Sequence, residues 1–287
     1  MTFDALLKSA AQRLQLAGSP SPRVDAEVLM EFATGRSRTW LYTWGDSECP
    51  TWEHARFDAL IAARAQGQPV AYLTGEREFW GLPLATSSTT LIPRPDTETL
   101  VEAALARAGT PTGRLLDLGT GTGAIALAFA SEKPHWQVVG VDVRPEAVAL
   151  AADNARTLNI TNATFLVSDW FSALRSSSPS ASSPGSTFEI IVSNPPYIAA
   201  DDPHLGQGDV RFEPRSALVA EADGMADLLH LITTAQAFLS PGGWLALEHG
   251  YQQAPSVRQA LKLAGYQSVE SVQDMGGHER VTLGHLK

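Results

Sequence analysis

The run Asn194-Pro195-Pro196-Tyr197 constrains chemistry more than any other in this chain. It follows Phe188-Glu189-Ile190-Ile191-Val192-Ser193, an apolar stretch that predicts a buried strand. Pro195 and Pro196 each fix φ, and Pro195 is held extended by the proline after it. The corner is therefore rigid, and its carbonyls lack nearby N–H partners. Such a corner suits a planar nitrogen, an amide or an exocyclic base amine. That nitrogen is a poor nucleophile because its lone pair is delocalised, and it carries two N–H donors. The Asn194 side-chain oxygen and the Pro195 carbonyl could accept both. Held so, the nitrogen can attack an electrophilic carbon in line from about 3–3.5 Å. The same acceptors favour the positive charge that develops on it. Tyr197 could lie against the flat group. No strong base is needed, because the proton becomes acidic once the new bond forms. Asn194, Pro195 and Tyr197 are thus the catalytic candidates, and Asn194, Pro195, Pro196 and Tyr197 the substrate-binding ones.

A second constellation is Asp117-Leu118-Gly119-Thr120-Gly121-Thr122-Gly123. Its glycines permit a tight turn and let a ligand touch the main chain. The helix predicted after it points free N–H groups into the same space. With Ala124, the run also fits the G-x-G-x-x-A form of a dinucleotide site. The next strand ends in Val141-Asp142, nineteen positions after Gly123. A carboxylate there accepts hydrogen bonds from both hydroxyls of an adenosine ribose. NAD and S-adenosylmethionine both carry that ribose, so Asp142 does not separate them. Trp170, after Ser168-Asp169, offers a flat face for an adenine or packs under the neighbouring helix. Hydride transfer leaves the Pro-Pro corner without a role. Methyl transfer from S-adenosylmethionine, releasing S-adenosylhomocysteine, gives it one. The cofactor-binding candidates are Gly119, Thr120, Gly121, Thr122, Gly123, Asp142, Trp170 and Asn194.

These loops need strands to hold them. From Arg114 onward strands and helices alternate: strands near 115–118, 137–143, 164–167, 188–193 and 244–248, helices near 122–130, 145–158, 225–239 and 255–264. Alternation predicts a mainly parallel sheet covered on both faces, an α/β fold. Two closing strands, 268–273 and 281–286, have no helix between them and predict an antiparallel edge hairpin. Residues 1–74 read as a small helical bundle. Thr2 caps a first helix with Phe3, Leu6, Leu7, Ala10, Ala11 and Leu14 inward. Ser21-Pro22 opens a second, with Val24, Val28, Leu29 and Phe32 inward and Gly35 at its end. Ser37 starts a short third. A fourth from Thr51 turns Trp52, Ala55, Ala59, Leu60 and Ala63 inward, and Trp40, Trp44 and Trp52 read as core anchors. Residues 75–92 read as a β-hairpin linker, and Asp96 or Thr97 as the cap of the helix after it. The domain boundaries expected are 1–74, 75–92 and 93–287. The stretch Arg175 to Ser186 is low in complexity and reads as a mobile surface loop.

Of the 287 residues, 44% are hydrophobic and 18% charged, enough to build a core. The formal net charge of -10 argues against unspecific binding to bare nucleic acid, which needs many cations against phosphates. Cys49 is the lone cysteine, so no internal disulfide forms, and no Cys/His cluster has metal-ligand spacing. The first sixteen residues carry Asp4, Lys8 and Arg13 within an apolar period and do not resemble a signal peptide. No apolar run approaches the ~18 residues of a membrane span. A cytoplasmic monomer, with neither metal nor membrane contact, is expected.

The corner and the glycine loop together resemble the class I methyltransferases that act on planar nitrogen. Further segments resemble one family among them, the bacterial glutamine-N5 methyltransferases of peptide-chain release factors. These are Ala71-Tyr72-Leu73-Thr74-Gly75, Glu78-Phe79, Leu91-Ile92-Pro93-Arg94-Pro95, Thr97-Glu98, Leu100-Val101-Glu102, Arg211-Phe212-Glu213-Pro214, Glu248-His249-Gly250 and Arg280-Val281-Thr282. The resemblance covers nearly the whole chain. It implies a Rossmann-like, seven-stranded methyltransferase domain, with the helical domain gripping the release factor. It implies a substrate too, the glutamine of the Gly-Gly-Gln loop of class I release factors. Asp96 stands where the family pattern has glutamate, and the Ser/Pro loop is longer than usual.

The sister enzymes that methylate a glutamine of ribosomal protein L3 share the corner, but the Ile92 to Glu98 segment has the release-factor form. Adenine-N6 methyltransferases of nucleic acid hold the same two donors, but the acidic balance and lack of a basic domain count against them. A non-catalytic adenosyl-binding protein would not need an intact Asn194 and Tyr197. Two further expectations concern neighbours of the corner. The loop Ala199 to Arg215, with Arg211, Glu213 and Arg215, clamps the incoming substrate, and His249 is structural rather than a general base.

Overall fold

The structure, a computed structural model, describes residues 1–176 and 187–287. The chain divides into two compact units, Met1–Glu76 with Pro203–Phe212, and Arg77–Asp202 with Glu213–Lys287.

The first unit is helical: α1 (Phe3–Leu16), α2 (Pro22–Thr34), α3 (Arg38–Trp44), α4 (Thr51–Ala65) and α5 (Val70–Thr74). Thr2 Oγ1 accepts from the Ala5 N–H at 3.3 Å, and Ser37 Oγ from that of Trp40 at 3.3 Å, so both caps form as the sequence predicts. Gly35 ends α2 in the left-handed conformation. Phe3, Leu6, Ala10 and Leu14 of α1 meet Leu29, Met30, Phe57 and Ile61 in one core.

The inward faces of α2 and α4 differ from the expected ones. In α4 the buried residues are Glu53, Phe57, Ile61 and Arg64, and Ala55 and Ala59 are exposed. Trp52 is 64% exposed and Trp44 55%, so of the three tryptophans only Trp40 packs on the core. In α2 Asp25 and Glu27 are buried, while Val24 and Phe32 face outward. Acids turned inward against arginine partners account for the rotation. Arg64 Nε donates to Asp25 Oδ2 at 2.8 Å and its Nη1 to Asp209 Oδ1 at 2.6 Å. Arg36 pairs with Glu53, and Arg23 with Glu27. Apolar counting cannot see a charge that is buried because its partner is.

The second unit opens with a hairpin, β1 (Glu76–Phe79) and β2 (Leu82–Ala85). Its two turn residues, Trp80 and Gly81, both have positive φ, the geometry that matches the twist of paired strands. Then come α6 (Glu98–Arg107), β3 (Arg114–Leu118), α7 (Ala124–Glu132), β4 (Gln137–Asp142), α8 (Pro145–Thr157), β5 (Ala163–Val167), α9 (Ser172–Ser176) and β6 (Phe188–Ser193). The unit closes with α10 (Glu221–Gly224), a single kinked turn, then α11 (Ala226–Thr234), β7 (Leu239–Glu248), α12 (Ala254–Leu263), β8 (Gln267–Gln273) and β9 (Glu279–His285). Arg175 and Ser176 finish α9; the rest of the stretch expected as a mobile loop, 177–186, lies outside the described residues.

Among the described residues seven strands form one sheet, in the order β5-β4-β3-β6-β7-β9-β8. β3 to β7 are parallel, and β9 runs antiparallel to both β7 and β8. This is the mainly parallel sheet with an antiparallel edge that the alternation predicts. Successive strand residues face opposite sides. Leu115 and Ile190 pack with Leu100, Val101, Leu127 and Phe129 on one face. Leu116 and Ile191 pack with Leu228, Leu231, Val257 and Leu261 on the other. The strand order reverses at β3, which lies between β4 and β6. Ligands of open α/β sheets bind at the carboxyl ends of strands where the order reverses. No helix among the described residues is long and apolar enough to cross a membrane.

Candidate functional site

The reversal brings the two sequence constellations together. Leu118 of β3 stands opposite Ser193 of β6, and Ser193 Oγ donates to the Leu118 carbonyl at 2.7 Å. The glycine loop therefore leaves one strand where the Asn-Pro-Pro-Tyr corner leaves its neighbour.

Gly119, Gly121 and Gly123 all have positive φ, which an L side chain resists. At Gly123 a Cβ would also press on Ala151 at 3.1 Å and Leu127 at 3.2 Å. The loop is tied down from below. The Gly119 and Thr120 N–H groups both donate to the Val141 carbonyl at 2.9 Å, and Thr120 Oγ1 donates to Asp117 Oδ2 at 2.6 Å. Asn154, buried on α8, accepts from the Ala85 N–H at 2.9 Å and donates to the Thr122 carbonyl at 2.9 Å, which joins the hairpin to the loop. Asp142 accepts from the Gly121 N–H with Oδ2 and from the Arg144 N–H with Oδ1, each at 3.0 Å. Both carboxylate oxygens keep lone pairs to spare.

Above the loop lies a cavity of about 270 Å³. Gly119, Thr120, Gly121, Thr122, Asp142, Trp170, Asn194 and Pro196 line it, so one cavity gathers candidates from three strand ends and the corner. Gly123, Pro195 and Tyr197 are not in its lining. Gly123 precedes the first residue of α7, and Pro195 is buried. Trp170, held at φ 45°, lines the cavity and also packs against the core beneath. The cavity suits an adenosyl group: a glycine loop whose main chain a ligand can approach without side chains in the way, a carboxylate at a strand end and a flat indole.

The corner is fixed by its neighbours. Asn194 Nδ2 donates to Thr97 Oγ1 at 3.3 Å, which commits the nitrogen and leaves Oδ1 to accept. Neither Asp96 nor Thr97 caps α6 with its side chain, contrary to expectation. Thr97 serves Asn194 instead, and Asp96 Oδ2 lies 3.3 Å from Arg280 Nη2. Tyr197 points its hydroxyl at Glu248 Oε1, 3.3 Å away. Burial, then the Glu248 charge, pushes the Tyr197 hydroxyl well above its usual pKa, so it stays a donor. Gln253 Nε2 donates to the Tyr197 carbonyl at 3.1 Å. A Cβ on Gly224 would lie 2.1 Å from that same carbonyl, so only glycine fits there.

Two fully buried carboxyls, Asp117 and Glu248, stand in runs the sequence singles out but received no role of their own, because the burial of a lone acid at a strand end carries no spacing signal. Burial pushes Asp117 up to about 7, against the pull of the Thr120 hydroxyl and with a push from Asp142. Burial likewise pushes Glu248 up to about 7, opposed by the Thr97 hydroxyl, Arg280 and Tyr197 and assisted by Asp96. Asp227, on α11, also lines the cavity, and burial raises its pKa.

The expected clamp needs correction at Glu213. Its side chain is buried, accepts from the Ile92 N–H at 3.1 Å and pairs with Arg94, so it holds the linker rather than a substrate. Arg211 Nη2 donates to the Gln66 carbonyl at 3.0 Å, and Arg215 Nη2 to that of Ala200 at 3.5 Å. His249 is fully buried, with Nε2 2.7 Å from Thr282 Oγ1 and Nδ1 2.9 Å from the Gly250 carbonyl oxygen. Burial lowers its pKa, and both ring nitrogens are engaged within the protein.

Comparison with known proteins bears on this geometry. Residues 5–75 match the PrmC N-terminal domain and residues 110–280 a methyltransferase domain. Among solved structures, a methyltransferase from Pyrococcus furiosus has a TM-score of 0.51 at 20% identity, over 78% of this chain and 96% of that one. The 16S rRNA N2 G1207 methyltransferase of Thermus thermophilus has a TM-score of 0.51 at 21% identity, over 74% of this chain and 50% of that one. Both show the methyltransferase fold. The sequence relatives are far nearer. The release factor glutamine methyltransferase of Salmonella typhimurium is 56% identical over 100% of this chain and 99% of its own length. Those of Vibrio cholerae and Escherichia coli are each 54% identical, over 100% and 99% of this chain and 98% and 99% of theirs. With a methyltransferase sheet, a corner at its reversal point and relatives matched end to end, this chain belongs to the release factor glutamine methyltransferase family.

Proposed function

We propose that this enzyme methylates the side-chain amide nitrogen, N5, of the glutamine in the Gly-Gly-Gln motif of class I peptide-chain release factors, using S-adenosylmethionine held in the cavity. The observation that carries the reading is the state of Asn194. Its Nδ2 donates to Thr97, which leaves Oδ1 to accept, and the residue lines the cavity. An acceptor fixed there can take one N–H of a substrate amide, and the Pro195 carbonyl can take the other. The nitrogen is then oriented before reaction, which is where most of the rate gain of such a site arises.

The cofactor, when bound, supplies the electrophilic methyl group. The remaining work falls to side chains and backbone of this chain. Asp142 has lone pairs for two ribose hydroxyls, and Trp170 an indole face for adenine. The glycine loop lets the rest approach the main chain, and Ala124 and Ile125 in the first turn of α7 line the same cavity. Tyr197, anchored at its hydroxyl by Glu248, supports the corner. No general base is required: His249 is buried away from the task, and a methylated amide nitrogen sheds its proton readily.

The names of the relatives support release factors as the substrate class. The decisive experiment offers methyl-labelled cofactor with, separately, a release factor, its Gln→Ala loop variant, ribosomal protein L3 and duplex DNA. Label is expected in the intact release factor alone. Label in the Gln→Ala variant refutes the glutamine assignment, and label chiefly in the ribosomal protein or the DNA moves the substrate class.

A further inference from the structure

The order of strands along the carboxyl edge of the sheet decides from which side a substrate reaches Asn194. Across the sheet, that edge carries Asp142 at the end of β4, the glycine loop after β3, the corner after β6, and then the end of β7 and the start of β9. The cavity draws on the ends of β3 and β4 and the segment after β5, and it reaches the corner at Asn194 and Pro196. It includes no residue of β7, β9 or the turns beyond them. Methyl transfer is an in-line displacement, in which the sulfur leaves on one side of the methyl carbon and the nitrogen arrives on the other. A cofactor held on the β4 side of Asn194 therefore meets an amide that comes in from the β7 side.

That side is built and exposed. Ser193 of β6 stands opposite Leu247 of β7, so residues 194–197 and 248–251 leave neighbouring strands together. A Cβ on Gly250 would lie 3.8 Å from Tyr197 Cδ2. Gln253 ties the two segments, accepting from the Gly250 N–H at 2.9 Å and donating to the Tyr197 carbonyl. Tyr251 follows, 53% exposed, its ring 5.3 Å from that of His278 and tilted by 57°. His278 belongs to the turn between β8 and β9, which also carries the wholly exposed Met275. The turn is firmly bonded. Asp274 Oδ1 accepts from the His278 N–H at 3.0 Å, Oδ2 from Arg280 Nε at 3.1 Å, and the Asp274 N–H donates to the His278 carbonyl at 2.9 Å. Large apolar side chains scattered singly over a surface need no account. Two of them beside a reacting corner, on hydrogen-bonded turns, offer a partner a preorganised support.

We propose that Tyr251, His278 and Met275 form a docking ledge for the stretch of protein substrate that flanks the modified glutamine. The proposal rests on the reading of the corner as the place of the glutamine amide. A glutamine side chain spans on the order of 5 Å from Cα to amide nitrogen. The substrate backbone must then pass over the mouth of the corner, on the side that the cofactor leaves open. Glycine has no Cβ to hold an aromatic ring away from the peptide plane, so the Gly-Gly pair before the glutamine suits the face of Tyr251. Met275 adds an unbranched thioether that adapts to an irregular surface. The ledge touches no reacting atom. Its loss removes binding from ground and transition states alike, which raises KM and leaves kcat in place.

The test uses the full-length enzyme and a full-length release factor. Met275→p-benzoylphenylalanine is irradiated with the release factor, and the cross-linked peptide is identified by mass spectrometry. The cross-link should fall within about five residues of the glutamine, the reach of an extended chain across the ledge. Tyr251→Ala and Met275→Ser should each raise KM for the release factor by about 5- to 30-fold, the scale of an interface anchor. For both variants kcat should stay within about threefold, and cofactor affinity by calorimetry within about twofold. Tyr251→Phe, which keeps the ring, should regain most of the KM that Tyr251→Ala loses. A cross-link mapped elsewhere on the release factor, no cross-link, an unchanged KM in both variants, or a loss carried by kcat or by cofactor affinity overturns the ledge alone, provided that the wild-type enzyme labels the release factor and Asn194→Ala does not. A wild-type enzyme that leaves the release factor unlabelled, or Asn194→Ala with normal turnover, overturns the reading of the corner and the ledge with it.

Discussion

Asn194 and Trp170 meet the cavity in different ways, and their removal should be felt differently. Asn194 makes one internal side-chain hydrogen bond and lines the cavity. On the proposed reading Asn194→Ala removes a fixed acceptor from the reacting nitrogen. Turnover should fall by about 100-fold or more, while calorimetry finds cofactor affinity little changed. A cofactor affinity that collapses with turnover would assign the residue to cofactor binding instead. Trp170→Ala should do the reverse, weakening cofactor binding by about 2- to 10-fold for a lost stacking face with a smaller effect on saturated turnover. Unchanged cofactor affinity in that variant would leave Trp170 with its packing role alone. Much at this scale was legible in the sequence. Proline and glycine announce themselves, and an asparagine before two prolines is rare enough to mean something. Glu248 and Asp117 were not legible, since their significance lies in burial beside groups far away in the chain.

Elements position these residues through a few ties. Glu213 joins the loop after β6 to the Ile92-Pro93-Arg94 segment, its buried carboxylate meeting the Ile92 N–H and Arg94. Glu213→Ala leaves both without their partner and should cost about 3 kcal/mol of stability, the usual scale for breaking a buried pair from one side. Denaturant unfolding measures it, and a loss below about 1 kcal/mol would mean the tie is incidental. Gly224, on α10, makes room for the Tyr197 carbonyl at a positive φ of 81°. Gly224→Ala must move that carbonyl, and with it the corner. The expected result is a kcat at least about 10-fold lower with modest change in KM. A variant of wild-type kcat would show that the corner tolerates the shift. Strand and helix positions were readable from periodicity in the α/β unit, where nearly every strand was found within a residue or two. The faces of α2 and α4 were not. There Asp25, Glu27, Glu53 and Arg64 turn inward as partners, and Trp44, Trp52, Val24 and Phe32 turn outward.

For the whole molecule the two carboxyls raised to about 7 predict a pH dependence of stability. Glu248 and Asp117 titrate near 7 in the folded protein and near 4 when unfolded. Between those values the folded state holds more protons, so their contribution is full below about pH 4 and is lost as pH rises through about 7. Glu248→Gln cannot titrate. The stability of this variant relative to wild type should therefore climb from pH 4 to 7, by at most about 3 kcal/mol at 1.36 kcal/mol per pH unit. Urea unfolding of both proteins across that range checks the slope. A difference that is flat with pH would mean that Glu248 is ionised throughout.

The sequence by itself determined the class of chemistry and the framework that carries it. Rigid prolines after an apolar strand, glycines at a second strand end and an acid at a third are local facts. Their consequences for backbone and hydrogen bonding do not depend on the rest of the fold. Alternating strands and helices fix a parallel sheet for the same reason, since the period of two or 3.6 residues is written along the chain. Only the tertiary structure decided what faces what. It set β3 beside β6, so that Leu118 and Ser193, seventy-five positions apart, became neighbours. It brought Thr97 behind Asn194, ninety-seven positions away, and Glu248 within reach of the Tyr197 hydroxyl. Hydrogen bonds between distant side chains leave no period and no spacing in a sequence. They exist only where the folded chain has already excluded the water that would otherwise satisfy each group alone.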